Sequence, residues 1–176
     1  IFPVLDELRK NNHKVKVVVS GAHLSHSHNE TWNFVKKDKF IIADKIDSLL
    51  SSNRLTQRPK GVSAIINGLS QTVERENPDI LLVDGDREES IATAIVGNYM
   101  HKIVVHIGGG DPASGNADDP MRFAVSKLSH VHCCTTEEYK NNLLKMGEEN
   151  FRIFNTGNPA YVNIDSVENV TKKKLF

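Results

Sequence analysis

Apolar residues recur along the chain in two alternating patterns, short β-branched runs and longer segments with helical spacing. Phe2, Leu5 and Leu8 lie three positions apart with charged residues between them, which predicts a helix over residues 1–11. The run VKVVVS at 15–20 predicts a strand. No strand is predicted between residues 21 and 61. The same patterns predict helices at 62–76, 88–99 and 137–146, a helix starting at Asp118 or Asp119, and strands at 80–83, 102–106, 131–134 and 151–154.

This alternation of strand and helix predicts the fold class. Short, continuously apolar strands are typical of a parallel sheet that is covered on both sides. We therefore expect an α/β domain with a Rossmann-like parallel sheet and helices on both faces. Asp118 or Asp119 is expected to cap its helix, with Pro120 in the first turn, and Thr135 or Thr136 to cap the helix at 137–146.

Polar and glycine-rich loops follow four of the predicted strands. In open parallel sheets, ligands bind beyond the carboxyl ends of the strands, so these loops should meet at one edge. Carboxylates that share a cleft repel one another, and one of them should then hold a proton near neutral pH, as a general acid must. The acidic and basic side chains expected in this cleft are Asp86, Arg87, Asp111, Asp118 and Asp119.

Simpler interpretations of the same residues stay open. Asp118 or Asp119 could serve only as a helix cap, and Asp86 could serve only to close a turn. Arg87 could pair with a neighbouring aspartate. Carboxylates can also hold Mg²⁺, but the only close pair at a strand end is Asp84-Gly85-Asp86.

Composition excludes several classes of protein. The 22 basic and 22 acidic residues balance, which argues against binding to nucleic acid or to a membrane surface. No apolar run approaches the roughly 20 residues that cross a bilayer. The two cysteines, Cys133 and Cys134, are adjacent and form no disulfide framework, so a reducing cytoplasm is the expected location.

Neither a metal nor a cofactor is expected. His23, His26 and His28 suggest zinc, but no cysteine or carboxylate completes a ligand set, and His23 at a strand end is better explained as a substrate contact. Gly108, Gly109 and Gly110 do not form the G-x-G-x-x-G pattern of a dinucleotide site, although they allow backbone to approach a ligand closely.

Three segments together resemble the UDP-N-acetylglucosamine 2-epimerases, in particular the hydrolysing branch that supplies sialic-acid-type sugars. They are GDREESIATAIVGNYMHKIVVHIGGGD, GNADDPMRFAVSKLSHVHCCTTEE and RIFNTGNP, and SGAHLS near the start adds to them. The ordered combination G-D-R, H-I-x-G-G-[ED], D-D-x-x-R and T-G-N-P is specific, whereas each part alone is weak.

The resemblance implies one half of a GT-B-type fold, in which the active site lies between two Rossmann-like domains. Residues 1–165 would form the amino-terminal domain and 166–176 a linker toward a carboxy-terminal domain. It implies anti elimination of UDP across C1–C2 to a 2-acetamidoglucal, followed by hydration to N-acetylmannosamine or a related sugar. It also implies a UDP-sugar substrate, no cofactor, and a homodimer when the protein is full length.

The resemblance also assigns site residues by position. The proposed catalytic residues are Asp86, Asp111, Asp118 and Asp119, and the proposed substrate-binding residues are His23, Arg87, Gly109, Gly110 and Arg122.

The sequence departs from the family pattern in three places. Gly108 stands where many members carry glutamate, and Asp111 could only partly compensate. The family's first strand, normally central in the sheet, and its second domain have no counterpart in these 176 residues. We therefore predict no turnover from this chain alone. Two alternatives stay open, a GT-B glycosyltransferase and a non-catalytic sugar-nucleotide binder in which Gly108 marks lost chemistry.

Overall fold

The computed structural model describes residues 1–51, 53–113 and 117–166. Strands and helices follow one another along this part of the chain. The helices are α1 (Phe2–Lys10), α2 (Trp32–Lys37), α3 (Gln57–Glu76), α4 (Glu88–Tyr99), α5 (Asp118–Leu128) and α6 (Glu137–Lys145). The strands are β1 (Lys16–Ser20), β2 (Ile41–Ile46), β3 (Ile80–Asp84), β4 (Ile103–Ile107), β5 (Val131–Cys134) and β6 (Ile153–Asn155). Short 3₁₀ helices lie at Gly21–Leu24, His26–His28, Asn150–Arg152 and Pro159–Ser166.

All strand pairs within the described residues are parallel, as the sequence predicts. The strands form two groups, β1 with β2, and β3-β4-β5-β6 in that order. Backbone hydrogen bonds do not join β1 to β3 in this part of the chain, so the layer is divided at its centre. An additional central strand would fit this division, and its presence in the full-length protein stays a prediction.

Helices cover both faces, as expected. On one face, α3 and α4 pack Leu69 and Val96 against Ile46 and Leu81. Helices α5 and α6 cover the continuation of the same face of the sheet. On the opposite face, α1 and α2 pack Leu5 and Val35 against the strands. Because both clusters include residues of β1 and of β3, side-chain packing connects the two strand groups.

Two expectations about local structure were wrong. Strand β2 was not predicted, because Asp44 and Lys45 interrupt its apolar residues. It lies at an edge of the sheet, where Asp44 can accept hydrogen bonds from Thr72 and Arg75 of α3. The predicted N-cap residue of α5 was also wrong.

The N-cap residue of α5 is Ala117, and neither predicted aspartate caps the helix. Asp118 and Asp119 lie in its first turn instead, where they interact favourably with the helix dipole. The cap of α6 is confirmed, since the Thr136 hydroxyl accepts a hydrogen bond from the Tyr139 N–H.

Candidate active site

The loops after β3 and β4 lie side by side at the carboxyl edge of the sheet. Asp84 and Ile107, the last residues of these strands, are in register. The Gly85 N–H donates to the Ile107 carbonyl at 3.1 Å, and the Gly108 N–H donates to the Cys133 carbonyl at 2.9 Å. These bonds fix the position at which each loop leaves the sheet. Helices α5 and α6 close one side of the resulting cleft.

Arg122 of α5 connects the acidic residues of the two loops. Its Nε donates to Asp86 Oδ2 at 3.0 Å, and its Nη2 contacts the same oxygen. Its Nη1 lies 2.9 Å from Asp111 Oδ2. The Arg122 and Asp86 side chains are only 16% and 15% exposed, so their ion pair is screened by water less than a surface pair. One guanidinium therefore holds two of the predicted catalytic carboxylates in place.

Asp118 and Asp119 lie one turn before Arg122 and have different partners. Asp118 Oδ1 is 3.6 Å from Nη2 of Arg58, at the start of α3, and Arg58 also binds Glu88 of α4. The hydrogen bond to Glu88, more than any other contact, raises the pKa of the Arg58 guanidinium. The Asp119 carboxylate accepts the Ala113 N–H at 3.0 Å and so ties the loop after β4 to α5. Both aspartates thus lie at the predicted edge, outside the direct contacts of Arg122.

His106 of β4 is fully buried beneath this loop. Its Nε2 lies 2.9 Å from the Gly85 carbonyl and its Nδ1 3.1 Å from the Ser126 hydroxyl. A carbonyl oxygen only accepts, so Nε2 carries the proton. The other ring nitrogen, Nδ1, lies beside the Ser126 hydroxyl, which donates to the Arg122 carbonyl at 3.0 Å. Burial lowers the pKa of His106 to about 4, which keeps the ring neutral. The sequence interpretation gave His106 no role, although the G-D-R and H-I-x-G-G elements that it connects were both recognised.

The three glycines after β4 have different surroundings. A Cβ added to Gly109 would lie 3.1 Å from both His106 Nδ1 and Ser126 Oγ. A Cβ on Gly110 would overlap the Tyr139 carbonyl oxygen and lie 2.9 Å from Leu143 Cγ. Protein therefore fills the side-chain space at both predicted substrate-binding glycines, which leaves only their backbone groups for a ligand. Of the three glycines, only Gly108 has side-chain space that is open on the side of the cleft.

Helix α6 supports the end of the same loop. The Asn142 side-chain amide donates to the Gly110 carbonyl at 3.0 Å. The Tyr139 phenol hydrogen-bonds to Asp111, and the negative charge of Asp111 raises the pKa of Tyr139. The sequence interpretation missed both residues. Their i, i+3 spacing on a helix that follows β5 was the available signal, since it puts them on one face of α6.

The two remaining predicted substrate-binding side chains, His23 and Arg87, lie at the outer parts of this edge. His23 Nδ1 is 2.6 Å from the Thr31 hydroxyl, and the histidine is exposed. Arg87 is the N-cap residue of α4 and its side chain is exposed. The 3₁₀ segment containing His23 reaches α4 through a Ser20 hydroxyl that donates to Glu89 Oε1 at 3.2 Å.

A cavity of about 440 Å³ lies beside His23, at the carboxyl ends of β1 and β2. Its lining combines apolar and uncharged polar side chains with a single carboxylate; it includes Leu24, Ser25, His28, Asp47, Leu50 and Asn53. Gly21, which also lines it, packs against Glu89 at the start of α4. The cavity is thus next to the loop that carries Asp86.

The pKa of Asp84, the last residue of β3, is shifted upward, which is the direction that the sequence predicted for one acid of the cleft. Asp84 is an exposed residue, and the protein groups around its carboxyl still raise its pKa through desolvation. The charge of Asp86 acts in the same direction, whereas the charge of Arg122 acts against it. The sequence interpretation had named other aspartates as the catalytic set.

Metal-binding and membrane-spanning features were sought in the described ranges. Residues 1–51, 53–113 and 117–166 bring together no group of three or more histidine, cysteine, aspartate or glutamate side chains that could hold a metal ion. Within the same ranges, no helix is both long enough and apolar enough to cross a bilayer.

Comparison with protein families identifies one match over nearly the whole chain. The family model described as UDP-N-acetylglucosamine 2-epimerase matches residues 6–175. The chain is 35% identical over 161 residues to the Campylobacter jejuni GDP/UDP-N,N'-diacetylbacillosamine 2-epimerase (hydrolyzing), covering 92% of the chain and 42% of that protein. It is 33% identical over 176 residues to the Legionella pneumophila UDP-N,N'-diacetylbacillosamine 2-epimerase (hydrolyzing), covering 97% of the chain and 46% of that protein.

Solved structures agree with this match. The UDP-GlcNAc 2-epimerase from Neisseria meningitidis bound to UDP-GlcNAc has a TM-score of 0.80 and 25% identity, over 98% of this chain and 47% of that one. The UDP-GlcNAc 2-epimerase from Methanocaldococcus jannaschii has a TM-score of 0.75 and 21% identity, over 89% of this chain and 41% of that one. The structural neighbours have a GT-B fold. The chain spans less than half the length of these relatives.

Proposed function

The chain belongs to the UDP-N-acetylglucosamine 2-epimerase family, and from this premise we propose that it forms the amino-terminal half of a hydrolysing 2-epimerase. The complete protein would convert a UDP-linked 2-acetamido sugar and water into UDP and the free sugar with inverted C2. The observation that carries the proposal is the placement of Asp86 and Asp111, from two loops, on the single guanidinium of Arg122.

The reaction requires proton transfer at C2. In the elimination step, a carboxylate removes the C2 proton, the C1–C2 double bond forms and UDP leaves with the electrons of the C1–O bond. In the hydration step, water oxygen bonds to C1 and a proton is added to C2 on the opposite face. A cleft with several carboxyl groups of different proton affinity suits both steps. Asp86, Asp111, Asp118 and Asp119 are the proposed acid–base residues.

The proposed substrate contacts surround these acids. Arg122, Arg87 and the backbone of Gly109 and Gly110 supply donors for phosphate and sugar oxygens. His23 directly precedes Leu24, which lines the cavity at the carboxyl ends of β1 and β2. The C. jejuni and L. pneumophila relatives, named for N,N'-diacetylbacillosamine, make a UDP-linked diacetamido sugar a candidate beside UDP-N-acetylglucosamine. A polar cavity whose one charged group is the Asp47 carboxylate suits acetamido groups better than it suits phosphate.

The assembly and location of the complete protein are part of this proposal. We expect residues 1–165 to form one domain, residues 166–176 to lead to a second, and the complete protein to act as a cytoplasmic homodimer. Cys133 and Cys134 are free thiols, which suits a reducing compartment. Sedimentation of the complete protein tests the dimer.

The experiment uses the complete protein with UDP-N-acetylglucosamine and with UDP-N,N'-diacetylbacillosamine, in D₂O and in H₂¹⁸O. We expect UDP release, one solvent deuterium at C2 of the free sugar and one ¹⁸O at C1. A glycosyltransferase would retain the C2 hydrogen and require an acceptor, and a non-catalytic binder would hold the UDP-sugar without releasing UDP. Either result would overturn the proposal.

A further inference from the structure

The side-chain space beside Gly108 is open, and a carboxyl group from the neighbouring strand lies at its edge. A Cβ added to Gly108 would lie 3.9 Å from Asp84 Oδ1 and within 4 Å of no other atom. The glycine therefore leaves an opening in the cleft floor, and Asp84 is the nearest group that can fill it. Asp84 lies outside the set of aspartates that the sequence motifs identified.

The backbone on both sides of Asp84 is fixed. The Asp84 carbonyl accepts the Ser90 hydroxyl at 2.8 Å. The next residue, Gly85, donates its N–H to the Ile107 carbonyl and accepts a hydrogen bond from His106 Nε2 at 2.9 Å. Strand β3, helix α4 and the buried histidine together hold Asp84 in position, as a catalytic group requires.

Asp84 differs from Asp86 and Asp111 in its ion pairing. Asp86 and Asp111 both bind Arg122, whereas no salt bridge to Asp84 is found among the described residues. Partial desolvation and the nearby charge of Asp86 raise the pKa of Asp84. Asp84 thus has no direct cationic partner in the described part of the chain, and its surroundings favour the protonated form of its carboxyl group.

We infer that the Asp84 carboxyl is the acid that protonates C2 during hydration of the 2-acetamidoglucal. The inference rests on the proposed function, because it assigns one step of that reaction. In this step the π electrons of the C1–C2 bond take the Asp84 proton at C2, and a water oxygen bonds to C1. The water proton passes to an ionised carboxylate of the cleft, so charge and atoms balance.

The test separates hydration from elimination in the complete protein. The substrates are 2-acetamidoglucal alone and UDP-N-acetylglucosamine, and the variants are Asp84→Asn, Asp84→Glu and the control Asp79→Asn. Asp79 is exposed and lies just before the amino end of β3, away from the cleft. Thermal unfolding of each variant shows whether it is folded.

We expect Asp84→Asn to slow hydration of the glycal by on the order of 10²–10⁴-fold, to slow UDP release far less, and to accumulate the glycal. Asp84→Glu keeps the acid and should recover part of the hydration rate. The wild-type hydration rate should fall on the alkaline side, and this limb of the pH–rate profile should disappear in Asp84→Asn. Asp79→Asn should resemble wild type in each measurement.

The remaining outcomes contradict the inference in distinguishable ways. Hydration by Asp84→Asn at the wild-type rate would remove Asp84 from the reaction and leave the proposed function intact. An equal loss of UDP release and hydration in folded Asp84→Asn would show that Asp84 does not act specifically in hydration. A wild-type protein that neither releases UDP nor hydrates the glycal would overturn the proposed function and this inference together.

Discussion

Arg122 donates through both Nε and Nη2 to one carboxylate oxygen of Asp86 at the carboxyl edge of the sheet, although the two residues are 36 positions apart in sequence. The arginine lies on α5 and the aspartate lies on the loop before α4. Their contact fixes the distance between two elements that carry candidate acids, and Asp111 binds the same guanidinium from a third segment. The arrangement of the cleft therefore depends on one cation.

Replacing Arg122 should disturb both the fold and the proposed reaction. Arg122→Met would remove the one cation that two partly buried carboxylates share, and we expect the free energy of unfolding to fall by about 3 kcal/mol. Arg122→Lys keeps the charge but cannot donate in a planar fork, so its loss should be intermediate. Urea denaturation measures both changes.

The same variants test the role of Arg122 in UDP release by the complete protein. We expect Arg122→Met to lower kcat/KM by on the order of 10²-fold or more, because both carboxylates lose their position. Adding Asp86→Asn to Arg122→Met should cost less than the sum of the single changes, since the two residues share one interaction. Wild-type activity in Arg122→Met would contradict this account of the cleft.

His106 should make stability fall as the solution becomes acidic. Its pKa is about 4 in the folded protein and 6.5 when it is not perturbed. Between these values the unfolded state binds more protons, so the free energy of unfolding decreases as the pH is lowered through this window. Lowering the pH below about 4, where the histidine is protonated in both states, would remove about 3 kcal/mol in total, and the contribution is fully present above pH 6.5.

Urea denaturation at pH 7.5 and pH 5.0 measures this effect. His106→Gln should lose part of the pH dependence, because its amide does not titrate, and should also be less stable at pH 7.5. His13→Gln, at an exposed position, should keep the wild-type pH dependence. The explanation fails if His106→Gln and wild type lose equal stability between the two pH values.

The sequence was sufficient to predict the parallel α/β fold and the edge at which the candidate acids meet. The β-branched runs and the helical spacing are local signals that predict the strands and helices. Because ligands bind beyond the carboxyl ends of parallel strands, the predicted strands also predict where the site lies. The sequence did not predict β2, because the strand's Asp44 depends on hydrogen bonds from Thr72 and Arg75 of α3, which are distant in sequence. The pairing of Arg122 with Asp86 and Asp111, the burial of His106 and the contact of Asp84 with Gly108 depend on side-chain placement that motifs do not encode.

Helix α6 should control the position of Asp111. Asn142→Asp would replace the amide that donates to the Gly110 carbonyl with an acceptor, and Tyr139→Phe would remove only the hydroxyl that contacts Asp111. We expect both changes to lower kcat of the complete protein by roughly 10-fold or more, with a smaller change in KM, because a misplaced catalytic group affects the transition state most.

Asn141→Asp is the matched control for α6. Asn141 is the exposed neighbour of Asn142, and its replacement by aspartate introduces the same charge. It should have the kcat of wild type. If Asn141→Asp and Asn142→Asp reduce kcat equally, the added charge is responsible and the hydrogen bond to Gly110 is not.

The 176-residue chain should not release UDP by itself. It spans less than half of its relatives, and the family resemblance places the active site between two domains. We expect no UDP release above background from UDP-N-acetylglucosamine with this chain, and turnover with the complete protein under the same conditions. Brisk release by the chain alone would show that the residues needed for the reaction all lie within it.

Gly108 and Gly110 provide a comparison of conformational strain with steric overlap. Both have φ of +76°, so alanine at either position should cost about 1 kcal/mol for the left-handed backbone. A Cβ at Gly108 meets open space beside Asp84, whereas a Cβ at Gly110 overlaps the Tyr139 carbonyl and Leu143. The backbone of α6 cannot move away without breaking helical hydrogen bonds, and overpacking of this kind typically costs a further 1–3 kcal/mol or so.

Urea denaturation should therefore give Gly110→Ala the larger loss by about 2 kcal/mol. Equal losses would mean that the loop moves away from α6 at little cost, which would also weaken the proposed role of that helix in holding Asp111.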